Sequence, residues 1–258
     1  MEISPELLGL AEDANSYTPL SPGSERIVDD RFILWLGKGD APSWNVAQRF
    51  RLTPGNVEQA LEDVHELVRA RGRKACTWEV GSSATPGDLP ARLLALGLVP
   101  DREPLAIGMV LTEAPAQGPV DVTVRRAETT DDFRAHARIA GEAFGGSPEE
   151  IERSVERAEI EEFETGAMYL AFLDGEPIAT ATATFTEWGV VLNAGSTRES
   201  ARGRGAYRAL VAARWEDAVA RGTPALVTQA GAMSRPILER LGFREVCEIR
   251  IFLDEFGG

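Results

Sequence analysis

A strand-like run that enters closely spaced glycines and then a helical pattern is a layout that binds polyanions. The segment Thr197-Arg198-Glu199-Ser200-Ala201-Arg202-Gly203-Arg204-Gly205-Ala206-Tyr207 has that layout. Glycines let backbone N–H groups turn toward one point. The first helical turn adds unpaired donors and the positive end of the macrodipole, and the arginines add charge. A pyrophosphate is the natural ligand. Two other phosphate sites are excluded by the residues themselves. A P-loop needs Lys-Ser or Lys-Thr after its second glycine, whereas Gly205 is followed by Ala206-Tyr207-Arg208, and a dinucleotide fingerprint needs a third glycine where Arg208 stands. The reading without chemistry is a solvated basic turn ahead of a surface helix.

The remaining reactive residue types offer less. His65 and His136 lie in helical stretches far from this segment and read as surface or packing residues; isolated as they are, they make no metal site. Cys76 and Cys247 sit inside apolar runs without a CxxC spacing and read as buried, reduced thiols. Trp35, Trp44, Trp78, Trp188 and Trp215 read mostly as core, with Trp188 a candidate wall of an acceptor pocket.

Composition limits the partners. The chain has 258 residues, and its 27 basic and 41 acidic residues leave a formal charge of -14. That charge repels nucleic acid and anionic membranes, so neither is expected as a partner. With 43% hydrophobic residues there is material for a sizeable core. The opening Met1-Glu2-Ile3-Ser4-Pro5-Glu6 lacks a secretory pattern, and no run approaches the ~20 apolar residues of a spanning helix, so a cytoplasmic protein is expected.

The elements that must position the anion segment follow from periodicity. Residues 1–25 read as an irregular entry segment with room for a short helix. A strand over Arg31–Leu36 and a second over Trp44–Leu52 form a hairpin; Val57, Ala60, Leu61, Val64, Leu67 and Val68 recur at helical spacing. Strand Ala75–Val80, helix Asp88–Leu96 and strand Leu105–Leu111 complete a first unit, 26–113. Ala114-Pro115-Ala116-Gln117-Gly118-Pro119 has linker composition. A second unit, 120–258, reads as strand Val120–Arg126, helices Asp131–Phe144 and Pro148–Phe163, strands Ala167–Leu173, Ile178–Thr186 and Val190–Thr197, helix Ala206–Ala220, strand Ala225–Gln229, helix Ser234–Leu241 and strands after Gly242. Asp174-Gly175 between two β-prone runs marks a hairpin. The two units echo one another. Each runs helix, Ala-Arg-Gly, strand, proline-containing helix, then Leu-Gly-Leu at 96–98 or Leu-Gly-Phe at 241–243. The expected class is α/β, with a central mixed β-sheet flanked by helices in two related domains.

Arg202-Gly203-Arg204-Gly205-Ala206-Tyr207 resembles the signature of the GNAT family, the Gcn5-related N-acetyltransferases: Arg or Gln, two residues, Gly, one residue, Gly or Ala, at the start of the helix after the fourth strand. Five positions agree and Tyr207 departs at the sixth. Ser234 to Phe243 is similar to the family's last helix and its Leu-Gly-Phe ending. The resemblance covers about Val120 to Leu253, and 26–113 resembles a degenerate copy, giving a tandem GNAT-like fold. It implies acetyl-CoA as cosubstrate, with no metal. Gly195, Ser196, Thr197 and Arg198 would hold the pantetheine arm by their backbone, and Arg202, Gly203, Arg204, Gly205, Ala206 and Tyr207 the pyrophosphate. Gln229 to Met233 would line the far side of the thioester gap, with Met233 and Ser234 as further cofactor contacts.

The implied reaction is acetyl transfer to a primary amine by direct attack in a ternary complex. Family members place a glutamate early on the fourth strand as base and a tyrosine in the last helix as acid. Glu187 falls within about a residue of the first place, and Leu238 stands at the second. Asn193 is a candidate to face the acceptor, and the acidic helix Glu149 to Glu164 a candidate border of its site. The acceptor, a small-molecule or peptide amine, stays open, as does the oligomeric state. The alternative function is a non-catalytic acyl-CoA-binding or sensing protein of the same fold.

Overall fold

Local signals account for most element boundaries. Ser4 accepts from Leu7 N and starts α1 (Pro5–Glu12), which is followed by α2 (Ala14–Tyr17). Strands β1 (Glu25–Val28), β2 (Ile33–Leu36) and β3 (Asn45–Gln48) lead to α3 (Val57–Arg69), β4 (Ala75–Gly81), α4 (Leu89–Ala95) and β5 (Val99–Leu111). The second half runs β6 (Val122–Arg126), α5 (Thr130–Ala143), α6 (Pro148–Glu156), β7 (Gly166–Leu173), β8 (Glu176–Phe185), β9 (Val190–Thr197), α7 (Ala206–Ala220), β10 (Leu226–Ala230), α8 (Arg235–Arg240) and β11 (Arg244–Glu255). Reciprocal capping boxes, Thr129 with Asp132 and Ser147 with Glu150, fix the starts of α5 and α6. The computed structural model describes residues 3–159 and 165–256.

The chain gathers into two compact units. One comprises Leu111–Thr228 with Arg240–Phe243; the other takes the chain before Leu111, Gln229–Glu239 and the chain from Arg244 onward. The final strand β11 therefore belongs with the first half of the sequence. It pairs antiparallel with both β4 and β5.

In this latter unit β1, β2 and β3 form an antiparallel meander, and β3 runs parallel to β4. The apolar stripe of α3, Val57, Ala60, Leu61, Val64 and Val68, is buried in one core with Phe32, Leu34, Phe50, Trp78, Leu89 and Leu93. Burying each large side chain contributes roughly 1.5–3 kcal/mol, which is why α3 is the clearest helix in this half of the sequence. Asp254 near the end of β11 accepts from Trp78 Nε1 at 3.1 Å and meets His65 Nε2 at 2.8 Å, so His65 is a packing residue tied to a carboxylate.

In the other unit β6, β7, β8 and β9 are antiparallel neighbours in that order, and β10 runs parallel to β9. The two faces of this sheet can be told apart residue by residue. Tyr169 on β7 reaches Asp217 of α7 with its hydroxyl, and Tyr169 pairs with Ala181, so Ala181 faces α7. Thr180, one residue earlier, faces the opposite way and meets His136 of α5. Helices α7 and α5 thus cover opposite faces. Small Ala179, Ala181 and Ala183 let α7 lie close, and Leu210, Val211, Trp215 and Ala218 fill the layer between.

Several expectations shift. The entry segment is helical and contributes Leu7, Leu10 and Ala11 to the core. Strand β1 was not foreseen, because Glu25-Arg26-Ile27-Val28 lies with only its middle half-buried and has no clear alternation. The strand foreseen from Leu105 begins at Val99, and the residues after Gly242 form one long strand with register shifts. The acidic helix ends at Glu156, capped by Arg157, short of the expected span to Phe163; of that span and of the acidic face to Glu164, residues 160–164 lie outside the described residues. The linker-like stretch is not free: Pro115 is buried, and an added methyl at Gly118 would meet Ala209 Cβ at 2.5 Å, so it packs on the start of α7. Among the described residues no helix is long and apolar enough to cross a membrane.

Candidate functional site

Strand β9 carries the irregularity that creates a site. Thr182 pairs with Asn193 and Thr180 with Ser196, so Ala194 and Gly195 together oppose the single residue Ala181. That is a β-bulge, and Ala194 adopts φ 49°, a left-handed conformation that a side chain tolerates only where the surroundings enforce it. Asn193, Ala194 and Gly195 are exposed between buried Leu192 and Ser196. On the other side β10 pairs with β9 only at Val190 and Val191, within the first residues of the strand. Leu192 O accepts from Thr228 Oγ1 at 3.1 Å, and from Asn193 onward the β9 backbone lacks that strand pairing, which leaves it able to bond a ligand.

The strand runs straight into the glycine turn. Arg198 N donates to Ile178 O at 2.9 Å and ends the pairing; a short helical turn, Glu199–Ala201, follows. Gly203 and Gly205 have φ of 78° and 79°, and Gly205 caps α7. Gly205 is doubly constrained, since a Cβ there would meet the Pro119 ring at 2.5 Å, whereas Gly203 has open space around it. The first intrahelical bond of α7 is made by Ala209 N to Gly205 O, so the N–H groups of Gly205, Ala206, Tyr207 and Arg208 precede the ladder and point out of the helix end. Arg202, Arg204 and Arg208 are exposed around this end; Arg204 has a loose pairing with Asp121 at 3.9 Å. On a chain of formal charge -14, unpaired donors, the positive end of the helix dipole and three arginines lie within one short turn.

Tyr207, the departure from the signature, does not block that turn. Its ring lies against Gly195, where an added Cβ would come within 2.7 Å of Cε2, so the side chain points to the bulge. Burial raises its hydroxyl above the ordinary tyrosine value, partly offset by the neighbouring Arg214 guanidinium. Arg214 is fully buried; it donates from Nε to Leu210 O and from Nη1 to Thr182 O, the residue opposite Asn193. Tyr207 and Arg214 thus brace the bulge from the α7 side.

The structure brings Gly195 through Arg198 and Arg202 through Tyr207 onto one strand-turn-helix in one unit. Met233, largely exposed, and Ser234, whose hydroxyl donates to Gly231 O, fall in the other unit, as do Gln229 and buried Leu238. Glu187 lies between the two strands, in the exposed β8–β9 turn, which Thr186 closes by bonding to Gly189. The strand starts only at Val190, so Glu187 sits at the far end of β9 from the bulge. Cys247 is half-buried, not fully, and burial with Glu12 and Asp13 nearby pushes its thiol up to about 12; burial likewise raises Cys76. Neither thiol is a nucleophile at neutral pH. Periodicity could not locate the bulge, Arg214 or the environment of His136, because each depends on register between strands or on helix-to-sheet packing.

No protein-family model matches the chain, and no curated protein matches it in sequence. Solved structures do. A GCN5-related N-acetyltransferase from Kribbella flavida matches with TM-score 0.69 at 21% identity over 90% of both chains. A tandem GNAT protein from the clavulanic acid biosynthesis pathway matches with TM-score 0.61 at 16% identity, covering 97% of this chain and 94% of its own. The fold is the tandem GNAT fold. A GCN5-related N-acetyltransferase from Sphaerobacter thermophilus agrees, with TM-score 0.58 at 19% identity over 90% of this chain and 82% of its own. Counted from β6, β9 is the fourth strand, and α7 is the helix that follows it.

Proposed function

We propose that this chain is an acetyl-CoA-dependent N-acetyltransferase that passes the acetyl group to a primary amine by direct attack in a ternary complex. The observation that carries the reading is the continuity of the bulge at Ala194–Gly195 with the left-handed Gly203 and Gly205 and the open end of α7. A thioester with a long amide-bearing arm and a pyrophosphate needs those parts in that order. Free backbone groups of Asn193 to Thr197 suit the arm; unpaired N–H groups of Gly205 to Arg208 and the guanidinium groups of Arg202, Arg204 and Arg208 suit the pyrophosphate. Backbone donors at the bulge suit the carbonyl oxygen, whose negative charge grows as the amine attacks.

The likeness to the GNAT structures supports the same reading. Release of free thiol from acetyl-CoA in the presence of small-molecule and peptide amines tests it. The proposal expects thiol release that depends on at least one amine. Tight binding of acetyl-CoA with no amine-dependent release would mean a binding or sensing protein instead.

A further inference from the structure

His136 of α5 occupies the sheet face opposite α7, and its protonation state can be deduced from its neighbours. Its Nδ1 lies 2.7 Å from Thr180 Oγ1, and Thr180 Oγ1 lies 2.9 Å from Tyr169 O. A carbonyl oxygen only accepts, so the single hydroxyl proton of Thr180 goes to Tyr169. Both contacts are hydrogen bonds only if Nδ1 of His136 carries a proton and donates it to Thr180. In the neutral ring, Nε2 then holds the lone pair, and it has no partner among the described residues.

The surroundings are those of a ligand face. Ser196 is the residue opposite Thr180, so its side chain shares that face; it is 6% exposed and its hydroxyl has no partner among the described residues. Two residues along, Thr182 faces the same way opposite exposed Asn193, about 7 Å further up the strand. A histidine with a free acceptor nitrogen, an orphaned buried hydroxyl and an exposed amide therefore line the α5 side of the bulge.

We propose that His136 is the general base of the acyl transfer, with Thr180 as the positioning residue that fixes its tautomer. The proposal rests on the transferase reading above. Nε2 removes one proton from the acceptor ammonium, and the freed amine attacks the thioester carbonyl carbon. The C–N bond forms and the C–S bond breaks with its electron pair leaving on sulfur. Of the two protons then on the attacking nitrogen, one passes to the departing thiolate and the other stays on the amide product, and His136 returns its own proton to water. Burial holds the imidazole below its ordinary value, which keeps it neutral and able to accept. Of the charged groups on α5, Glu142 pairs with Arg198 beyond β9, Arg138 with Glu152 of α6, Arg134 with Asp131, and Asp132 with Arg125; α6 also carries Glu149, Glu150, Arg153 and Glu156. Strands β8 and β9 bring the uncharged Thr180, Thr182, Asn193 and Ser196.

The test is His136→Asn, because the asparagine amide nitrogen overlaps Nδ1 and keeps the donation to Thr180 while Nε2 is lost. The expected result is a fall in amine-dependent thiol release of at least about 100-fold, acetyl-CoA affinity within about twofold of wild type, and partial recovery with added imidazole. The acidic limb of the wild-type pH profile, lying below the ordinary histidine value, should disappear from the residual rate. His65→Asn, which alters the other histidine of the chain, should keep the wild-type rate. If His136→Asn falls by much less, or loses acetyl-CoA affinity in proportion, the base assignment is overturned while the transferase reading stands. If the wild-type protein releases no thiol with any amine, the transferase reading is overturned and this assignment with it.

Discussion

The ring of Tyr207 packs on the backbone of Gly195, where a methyl group would lie 2.7 Å from Cε2 and 3.5 Å from Cδ2. The residue on the first turn of α7 that departs from the signature is thereby locked to the bulge of β9. The half-buried ring is held against Gly195, so Gly195→Ala should destabilise the protein by roughly 1–3 kcal/mol. Tyr207→Leu should relieve much of that cost. In a double-mutant cycle followed by urea unfolding, the two changes should couple by on the order of 1 kcal/mol or more, and strict additivity would mean the contact is loose.

The two signature glycines should respond differently to alanine. Gly203 sits at φ 78° in open space, so Gly203→Ala carries only the left-handed penalty of about 1–2 kcal/mol. Gly205 has the same backbone and also faces the Pro119 ring, so Gly205→Ala should lower the thermal midpoint further and weaken acetyl-CoA binding more. Calorimetric scans of both variants check the order.

A pH dependence follows from a cluster of carboxyl groups in the other unit. Burial together with neighbouring Glu12 raises Asp13 to about 6, and burial together with Asp13 raises Glu79 to about 7. Their folded values lie above the unfolded ones, so their contribution to stability is complete below about pH 4 and is lost as pH rises through 6 to 7. Unfolding midpoints should therefore rise as pH falls from about 8 to about 5. Glu79→Gln should flatten that dependence and stabilise the protein at pH 8 by on the order of 1–2 kcal/mol. A midpoint that falls over this range would contradict the assignment.

Much of this architecture is written in local signals. The apolar stripe of α3, the Asp174-Gly175 turn with φ of 53° and 85°, and the capping residues of α5 and α6 each act within a few residues, so they can be read without partners. The glycine turn before α7 is local too. The bulge is not. It exists because Ala194 and Gly195 share one partner across β8, a fact of register. For the same reason His136 looked remote when α5 brings it to Thr180. The end of the chain was equally hidden, since nothing in Arg244–Glu255 states that it will lie between β4 and β5.

The central claim is that the open end of α7 holds the pyrophosphate of acetyl-CoA. Titration calorimetry of acetyl-CoA into the wild-type protein and into Gly205→Asp tests it most directly. The account predicts measurable binding by wild type and none by the variant, because a carboxylate would face the anion while its Cβ meets Pro119. A thermal midpoint for the variant well above the assay temperature shows that it is folded in the titration. Equal affinity in the two proteins would contradict the placement of the site.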